Sequence, residues 1–159
     1  MDAGWLKTYD EYYRDEVTKI FRSVFEELRH NEGFTYTVGD IGFFRRYYRD
    51  ATPEERQSIR DLVRNGQLEI VHGGIVSTDE ATPSYTDIIR NMELGHDFLR
   101  EEFNYLPKIG MQLDPFGHSV ANAEIFSQLG LEAMVVGRIN EDDFKRRQKT
   151  RDLEFVWTP

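Results

Sequence analysis

The segment Gln112-Leu113-Asp114-Pro115-Phe116-Gly117-His118-Ser119 decides how the surrounding chain is interpreted. An apolar run precedes it at residues 109–113 and predicts a buried strand, whereas the residues after it predict an amphipathic helix. Because Pro115 lacks a backbone donor, the strand must stop there, and we expect Asp114 to be its last residue. The segment therefore predicts a strand–turn–helix unit with a carboxylate at the turn.

The turn carries residues that suit both structure and chemistry. Gly117 permits a tight turn, and Ser119 can cap the helix by accepting a backbone N–H. A carboxylate at the carboxyl end of a strand is where α/β proteins place chemistry, so Asp114 is a candidate functional group. Asp-Pro also occurs in ordinary turns, and that interpretation stays open. The nearby Phe116 and His118 favour a functional one.

Helical and strand-like patterns alternate outward from this segment. The sequence Thr52-Pro53-Glu54-Glu55 is a capping box with proline at the first helical position, and Gly66 ends the helix that it starts. Apolar residues on one face predict helices at residues 8–30 and 84–103, and we expect further helices at the aromatic-rich residues 41–48 and at residues 120–129, before Gly130. Short apolar or β-branched runs predict strands at residues 34–38, 68–71, 109–113, 131–136 and, after the charged residues 140–152, at 153–157.

This alternation predicts an α/β fold with parallel strands joined by crossover helices. The strands are mostly apolar, which is typical of a sheet covered on both faces or a closed barrel. We expect residues 1–159 to form a single unit. Since no strand precedes the first helix and no helix follows the last predicted strand, the unit resembles a barrel truncated at both ends, a piece of something larger.

Composition excludes several classes of protein. The net charge of −9 disfavours nucleic acid as a partner. The absence of cysteine excludes disulfides and thiolate metal sites. No apolar run approaches the roughly 20 residues that span a bilayer, so we expect no membrane partner. The first residues are neither basic nor continuously apolar, and we expect no signal peptide in this chain.

Four ordered blocks of sequence carry a family resemblance. They are Asp2-Ala3-Gly4-Trp5-Leu6-Lys7-Thr8 followed by Tyr12-Tyr13; Gly73-Gly74 with Asp79-Glu80-Ala81; Leu113-Asp114-Pro115-Phe116-Gly117-His118-Ser119; and Gly137-Arg138. In that order they resemble the amino-terminal catalytic domain of glycoside hydrolase family 38 α-mannosidases, and the first block is closer to the lysosomal type. The resemblance covers essentially the whole chain.

The resemblance implies a zinc-dependent retaining exo-glycosidase on a (β/α)7 barrel that removes terminal α-mannosyl groups from oligosaccharides. By matched position, Asp114 is similar to the catalytic nucleophile, which in the family also coordinates zinc, and Asp2 to a zinc ligand. Trp5 and Phe116 are similar to aromatic residues around the bound mannose. Arg138 is similar to a basic group close to the nucleophile. The kinship also implies a lysosomal or secretory location for the parent protein.

Departures from the family pattern limit what this chain can do alone. The family has a zinc-binding His two residues before the position of Asp2, and here the chain begins one residue before it. The second zinc His and the general acid fall beyond the last residue. Ile75 replaces a family Trp. We therefore expect an incomplete zinc site, an isolated chain without activity, and a need for the remaining segments of the parent.

Each candidate residue also has a plainer interpretation. Asp2 can be loose surface, and Trp5 can be core packing. His118 lies four residues from Asp114, a spacing that permits a shared metal, but the intervening turn favours a supporting role. Arg138 can form a structural ion pair instead of a catalytic one.

Four other features of the sequence have plainer interpretations too. Asp79 and Glu80 can cap the helix that follows them or contact substrate. His96, on an apolar stripe, is expected to be a satisfied core residue, and residues 145–151 are expected to be a solvated basic face.

Two other functions stay open beside mannoside hydrolysis. A non-catalytic product, either truncated or a pseudoenzyme, would fold partly and hold a sugar weakly at most. A zinc-dependent carbohydrate deacetylase would also place Asp and His at the ends of barrel strands. An upstream His-x-Asp and a downstream His would favour the glycosidase.

Overall fold

The computed structural model describes residues 3–157. Its first helical segment combines α1 (Tyr9–Tyr12), a π-helical turn (Tyr13–Val17) and α2 (Thr18–His30). The predicted capping box is present, because Thr8 Oγ1 accepts from the Glu11 amide at 3.3 Å and the Glu11 carboxylate accepts from the Thr8 amide at 2.8 Å. The predicted helix is confirmed, with a π-helical turn that the apolar spacing did not indicate.

Two helices separate the first two strands. The elements are β1 (Tyr36–Val38), α3 (Gly42–Asp50), α4 (Pro53–Arg64) and β2 (Leu68–Ile70). The Thr52 side chain accepts from the Glu55 amide at 3.2 Å and Pro53 is the first residue of α4, as predicted. Gly66 takes a positive φ of 81° just beyond the helix end, where a left-handed residue is needed.

The second half repeats the alternation. Its elements are α5 (Tyr85–Phe103), β3 (Ile109–Gln112), α6 (Val120–Gln128), β4 (Ala133–Val136) and α7 (Glu141–Thr150). Ser119 caps α6 as expected, accepting from the Ala121 amide at 3.2 Å. Among residues 3–157, no helix is both long and apolar enough to cross a membrane.

The strands pair in parallel, as the sequence predicts. β1 pairs with β2 and β3 pairs with β4, which gives two two-stranded sheets in the described part of the chain. The sheets are joined where β2 ends, because the His72 amide donates to the Ile109 carbonyl at 2.6 Å. The structure therefore has parallel strands connected through helices. A closed seven-stranded barrel stays a prediction.

Two apolar clusters hold these elements together. The larger one is formed by α2, α3, α4, β1, β2 and the end of α5, and aromatic rings such as Phe25, Phe44 and Tyr48 are its largest fully buried members. The smaller one is formed by Ile88, Met92, Phe126 and Leu131. Since α5 contributes side chains to both clusters, it connects the two halves.

The structure corrects two sequence-based boundaries. Residues 153–157 form no strand; the guanidinium of Arg147 lies over the Phe155 ring, 4.4 Å from its centroid, and its Nη1 donates to the Asp152 carbonyl at 3.1 Å. An apolar run without a neighbouring strand to pair with does not become a strand. The second correction concerns β3, which ends at Gln112, so Asp114 is the second residue beyond the strand.

Candidate active site

The predicted site lies where β3 and β4 end. The two strands are parallel, so their carboxyl ends share one edge, and the Gly137 amide donates to the Gln112 carbonyl at 3.0 Å beyond the last paired residues. A Cβ atom on Gly137 would lie 2.5 Å from the Leu113 carbonyl oxygen. Only glycine therefore permits this approach, which brings the residue after Gly137 beside the residue after Leu113.

Those two residues, Arg138 and Asp114, form a charge pair. Arg138 Nε lies 2.7 Å and Nη2 2.5 Å from the same oxygen, Asp114 Oδ1. The Phe116 ring lies under the guanidinium at 4.6 Å from its centroid, a cation–π contact. The side chains of Arg138 and Asp114 are 51% and 68% exposed, so a ligand in solvent can reach both. Three of the predicted site residues are thus brought together.

The backbone at this pair is strained. Arg138 has a φ of 50°, in the left-handed region that residues with a side chain seldom occupy. Such conformations persist only where the surroundings impose them, and they concentrate at functional sites. The contact between the Gly137 backbone and Leu113 is one such constraint.

A buried carboxylate lies behind the turn that carries Asp114. Glu80, whose side chain is 3% exposed, accepts from Gln112 Nε2 at 3.2 Å and the Ser119 amide at 2.6 Å, and its Oε1 lies 3.1 Å from His118 Nδ1. Gln112 Nε2 also donates to the Thr78 carbonyl at 3.0 Å. One carboxylate from the loop after β2 therefore accepts hydrogen bonds from both ends of the turn.

His118 connects this carboxylate to β4. Its side chain is 8% exposed, and its Nε2 contacts the Gly137 carbonyl. This is a supporting position for the turn, as the sequence favoured. Of the two alternatives for Asp79 and Glu80, capping of the following helix is wrong. Asp79 accepts from Thr82 within its own loop, and α5 is capped by Ser84 instead of Glu80.

Two buried histidines, His72 and His96, lie together where β2 ends. His72 is fully buried with a φ of 59°, and His96 Nε2 contacts its carbonyl at 2.9 Å, so His96 is the satisfied core residue that we expected. Burial, and to a smaller extent His96, lowers the pKa of His72 from 6.5 to about 4. The ring is therefore neutral near pH 7 and packs edge-on against Phe126, with centroids 5.1 Å apart.

Two predicted site residues are not joined to this group. Trp5 is 74% exposed, which excludes the core-packing alternative, and among the described residues no ring contact or hydrogen bond connects it to Asp114, Phe116 or Arg138. Asp2, predicted as a zinc ligand, lies outside residues 3–157. The position of Asp2 relative to Asp114 therefore stays a prediction.

The described residues supply part of a metal site at most. Within residues 3–157, no three His, Asp or Glu side chains lie close enough together to hold a metal ion. Asp114 suits one ligand position, because its side chain is 68% exposed and carboxylate oxygens are among the ligands that zinc takes in proteins.

A cavity of about 780 Å³ borders the site. Arg138 and His118 lie at one side of it, and α7 with the segment after it forms the other, where Phe144, Phe155 and Trp157 line the wall. Aromatic walls beside charged groups are common in ligand sites. The cavity reaches the site through Arg138, the partner of Asp114.

Comparison with known families gives a match over the whole chain. The family described as "Glycosyl hydrolases family 38 N-terminal domain" matches residues 1–159. The lysosomal alpha-mannosidase of Dictyostelium discoideum is 39% identical over 98% of this chain and 16% of its own length. The alpha-mannosidase of Canavalia ensiformis is 38% identical over 98% of this chain and 17% of its own. The lysosomal alpha-mannosidase of Bos taurus is 39% identical with the same coverages.

Solved structures support the fold. An alpha-mannosidase from Enterococcus faecalis superposes with a TM-score of 0.74 over 85% of this chain and 15% of its own, at 20% identity. A 4-alpha-glucanotransferase from Thermococcus litoralis superposes with a TM-score of 0.61 over 73% of this chain and 18% of its own, at 23% identity. The chain thus spans about a sixth of the length of the relatives it matches.

Proposed function

This chain belongs to the glycosyl hydrolase family 38 N-terminal domain family, and from that premise we propose that it is part of the catalytic barrel of an α-mannosidase. The complete protein would hydrolyse terminal α-mannosyl linkages in oligosaccharides with retention of configuration. The observation that carries the proposal is the Asp114–Arg138 contact at the carboxyl ends of two neighbouring parallel strands. That edge is where α/β enzymes of this architecture bind and convert substrates.

In this proposal Asp114 is the nucleophile. Its Oδ2 attacks the anomeric carbon and the leaving group departs, which forms a covalent glycosyl-enzyme that water later hydrolyses. Arg138 holds Oδ1, fixes the plane of the carboxylate and keeps the other oxygen free for attack. A second carboxyl about 5–5.5 Å away must act as acid and base, and it would come from outside this chain.

Apolar ring faces complement the C–H patches of a mannose ring and exclude water. Phe116, beside Arg138, and Trp5, exposed near the first helix, are the proposed sugar-binding aromatics. Arg138 would add donors to sugar hydroxyls on the same side. The nearby cavity gives room for the rest of an oligosaccharide.

Zinc is the proposed cofactor of the complete protein, with Asp114 and Asp2 as the carboxylate ligands from this chain. A bound zinc ion supplies Lewis acidity and orients hydroxyl groups. Because residues 3–157 contain no group of three side chains that could hold a metal ion, we expect weak zinc binding and no turnover by the 159-residue chain alone. Tight zinc binding in calorimetry, or turnover of an aryl mannoside, would contradict that expectation.

The test of the proposed function is kinetic. In the complete protein, Asp114→Asn keeps the shape but removes the nucleophilic charge, and kcat for an aryl α-mannoside should fall about 1,000-fold or more. Asp97→Asn, in an exposed ion pair on α5, is the control and should leave kcat unchanged. Equal kcat for Asp114→Asn and wild type would refute the assignment.

The same assay separates the other functions. Release of acetate from an acetylated sugar, without mannoside cleavage, would support the deacetylase, and no turnover with either substrate would support a non-catalytic product. The lysosomal names of two relatives support a lysosomal or secretory location for the parent. Localisation of the tagged complete protein tests it.

A further inference from the structure

The proposed mechanism uses exposed groups and leaves two buried ionisable side chains without a role. Glu80 and His118 are 3% and 8% exposed, and their Oε1 and Nδ1 atoms lie 3.1 Å apart directly behind the catalytic turn. Buried charged groups are costly unless they are paired and hydrogen-bonded. A buried Glu80–His118 pair behind the catalytic turn therefore indicates a role beyond packing.

We propose that Glu80 and His118 are positioning residues that fix Asp114 relative to Arg138. The inference rests on the proposed function, in which those two exposed groups carry the chemistry. Glu80 contacts the Ser119 amide and His118 contacts the Gly137 carbonyl, so each acts through the backbone that it holds, and His118 also lines the cavity beside Arg138. The loop after β2 thereby controls a site built on β3 and β4.

The Asp114 side of the site is held at both ends. Before Asp114, Gln112 Nε2 donates to Glu80 Oε1 at 3.2 Å; after it, the Ser119 amide donates to Glu80 Oε2 at 2.6 Å. The residues between them cannot swing out without breaking a hydrogen bond to a buried carboxylate, which is expensive to leave unpaired. The direction of the Asp114 carboxylate is set by these contacts.

The Arg138 side is held through His118. Its Nε2 contacts the Gly137 carbonyl, next to the residue with the left-handed backbone. Because a carbonyl oxygen only accepts, Nε2 donates to Gly137, while Nδ1 on the other side of the ring pairs with Glu80 Oε1. The ring is therefore a rigid spacer between the two halves of the site, and it holds Arg138 in a conformation that it would not adopt alone.

A spectroscopic test on the chain itself needs no activity. The Nε–H resonance of Arg138, identified by its change in Arg138→Lys, reports the hydrogen bond to Asp114 Oδ1. In Glu80→Gln we expect this resonance to move to the position typical of exposed arginines and to exchange faster with water. The control Glu102→Gln removes a carboxylate that accepts from Tyr48 and Arg60 in the other cluster, and it should leave the resonance in place.

The kinetic test uses the complete protein. For a positioning role, Glu80→Gln should lower kcat about 10–100-fold in the folded fraction while KM changes less than about threefold. Glu102→Gln should lower stability without changing kcat. A Glu80→Gln protein with a lowered melting temperature but wild-type kcat and an unmoved Arg138 resonance would show a purely structural role and overturn the proposal.

His118→Asn keeps the test decisive if Glu80→Gln does not fold. An asparagine amide can replace Nδ1 and satisfy Glu80 but cannot reach Gly137, so we expect the Arg138 resonance to move with Glu80 still paired. An unmoved resonance in folded His118→Asn overturns the proposal. If the wild-type complete protein lacks mannosidase activity, the proposed function fails, whereas the resonance experiment still tests the positioning pair.

Discussion

The two halves of the molecule differ in how they are stabilised. Around β1 and β2, 17 buried residues form one aromatic-rich cluster. Around β3 and β4, four buried residues form the second cluster, two of them supplied by α5, while Phe116, Val135 and Phe155 are exposed. Since apolar burial is the main source of folding free energy, the first half stabilises the structure and the second presents the site.

This difference in burial separates the residues that stabilise the fold from the residues that are available for chemistry. The Asp114–Arg138 pair is more than half exposed, so it contributes little to stability and stays available to a ligand. Its geometry is instead imposed by the glycine contact at Gly137 and by buried Glu80 and His118.

The sharpest contrast is between two phenylalanines. Phe44 is fully buried in the large cluster and contacts several rings, so Phe44→Ala should lower the free energy of unfolding by about 3–5 kcal/mol. Phe116 is 77% exposed, and Phe116→Ala should change it by less than about 0.5 kcal/mol. Urea unfolding of both variants checks this. Similar losses for the two would contradict the division.

The connection between the halves is tested at Gly95 of α5. A Cβ atom there would lie 1.8 Å from the Gly73 carbonyl oxygen, which is backbone and cannot move alone. Although alanine is the better helix former, Gly95→Ala should therefore destabilise by about 1–3 kcal/mol. Glu101→Ala, at an exposed position of α5, is the control. A stabilised Gly95→Ala would show that α5 is not packed against the loop after β2.

The buried His72 makes stability depend on pH. Its pKa is about 4 in the folded state and 6.5 in the unfolded chain, so below pH 6.5 the unfolded state binds more protons. Stability is thus full above pH 6.5 and falls as pH drops towards 4. Asparagine tolerates the left-handed backbone, so His72→Asn should remove this dependence.

Urea unfolding at pH 7 and pH 5.5 measures the effect. From the two pKa values, the free energy of unfolding should fall by about 1 kcal/mol more in wild type than in His72→Asn over this interval. Equal losses would mean that His72 is not buried in its neutral form. His30→Asn, at the exposed end of α2, controls for a histidine without such burial.

A small stability change is also expected when Asp114 is replaced. Asp114→Asn should alter the free energy of unfolding by less than about 1 kcal/mol, because both partners of its ion pair are largely exposed. Chemical denaturation of this variant beside wild type checks it. A loss comparable to that of Phe44→Ala would place Asp114 in the supporting structure and remove the contrast between the halves.

Local rules account for most of what the sequence predicted. Three predicted helix signals depend only on hydrogen bonds or dihedral angles within a few residues, and each is present. They are the capping box at Thr52, the N-cap at Ser119 and the helix end at Gly66. The parallel pairing follows from the alternation of strands and helices. The approach of Asp114, Phe116 and Arg138 follows from the shared edge of two parallel strands together with the family resemblance.

The features that the sequence did not predict depend on partners distant in the chain. Glu80 was noticed as a loop carboxylate, but its partners lie 32 to 39 residues away, and no spacing rule predicts them. The burial of Gln112 and the left-handed conformation of Arg138 likewise arise from packing between elements. The false strand at residues 153–157 has the right composition but lacks a pairing partner.

If Asp114 is the nucleophile, it carries the mannosyl group of the covalent intermediate. Its most direct test is to treat the complete protein with an activated fluorinated α-mannoside, which slows hydrolysis of the covalent intermediate, and to locate the label by peptide mass spectrometry. We predict one mannosyl group on the peptide that contains Asp114, and none in Asp114→Asn. A label on another carboxylate of a protein that turns over mannosides would contradict the account.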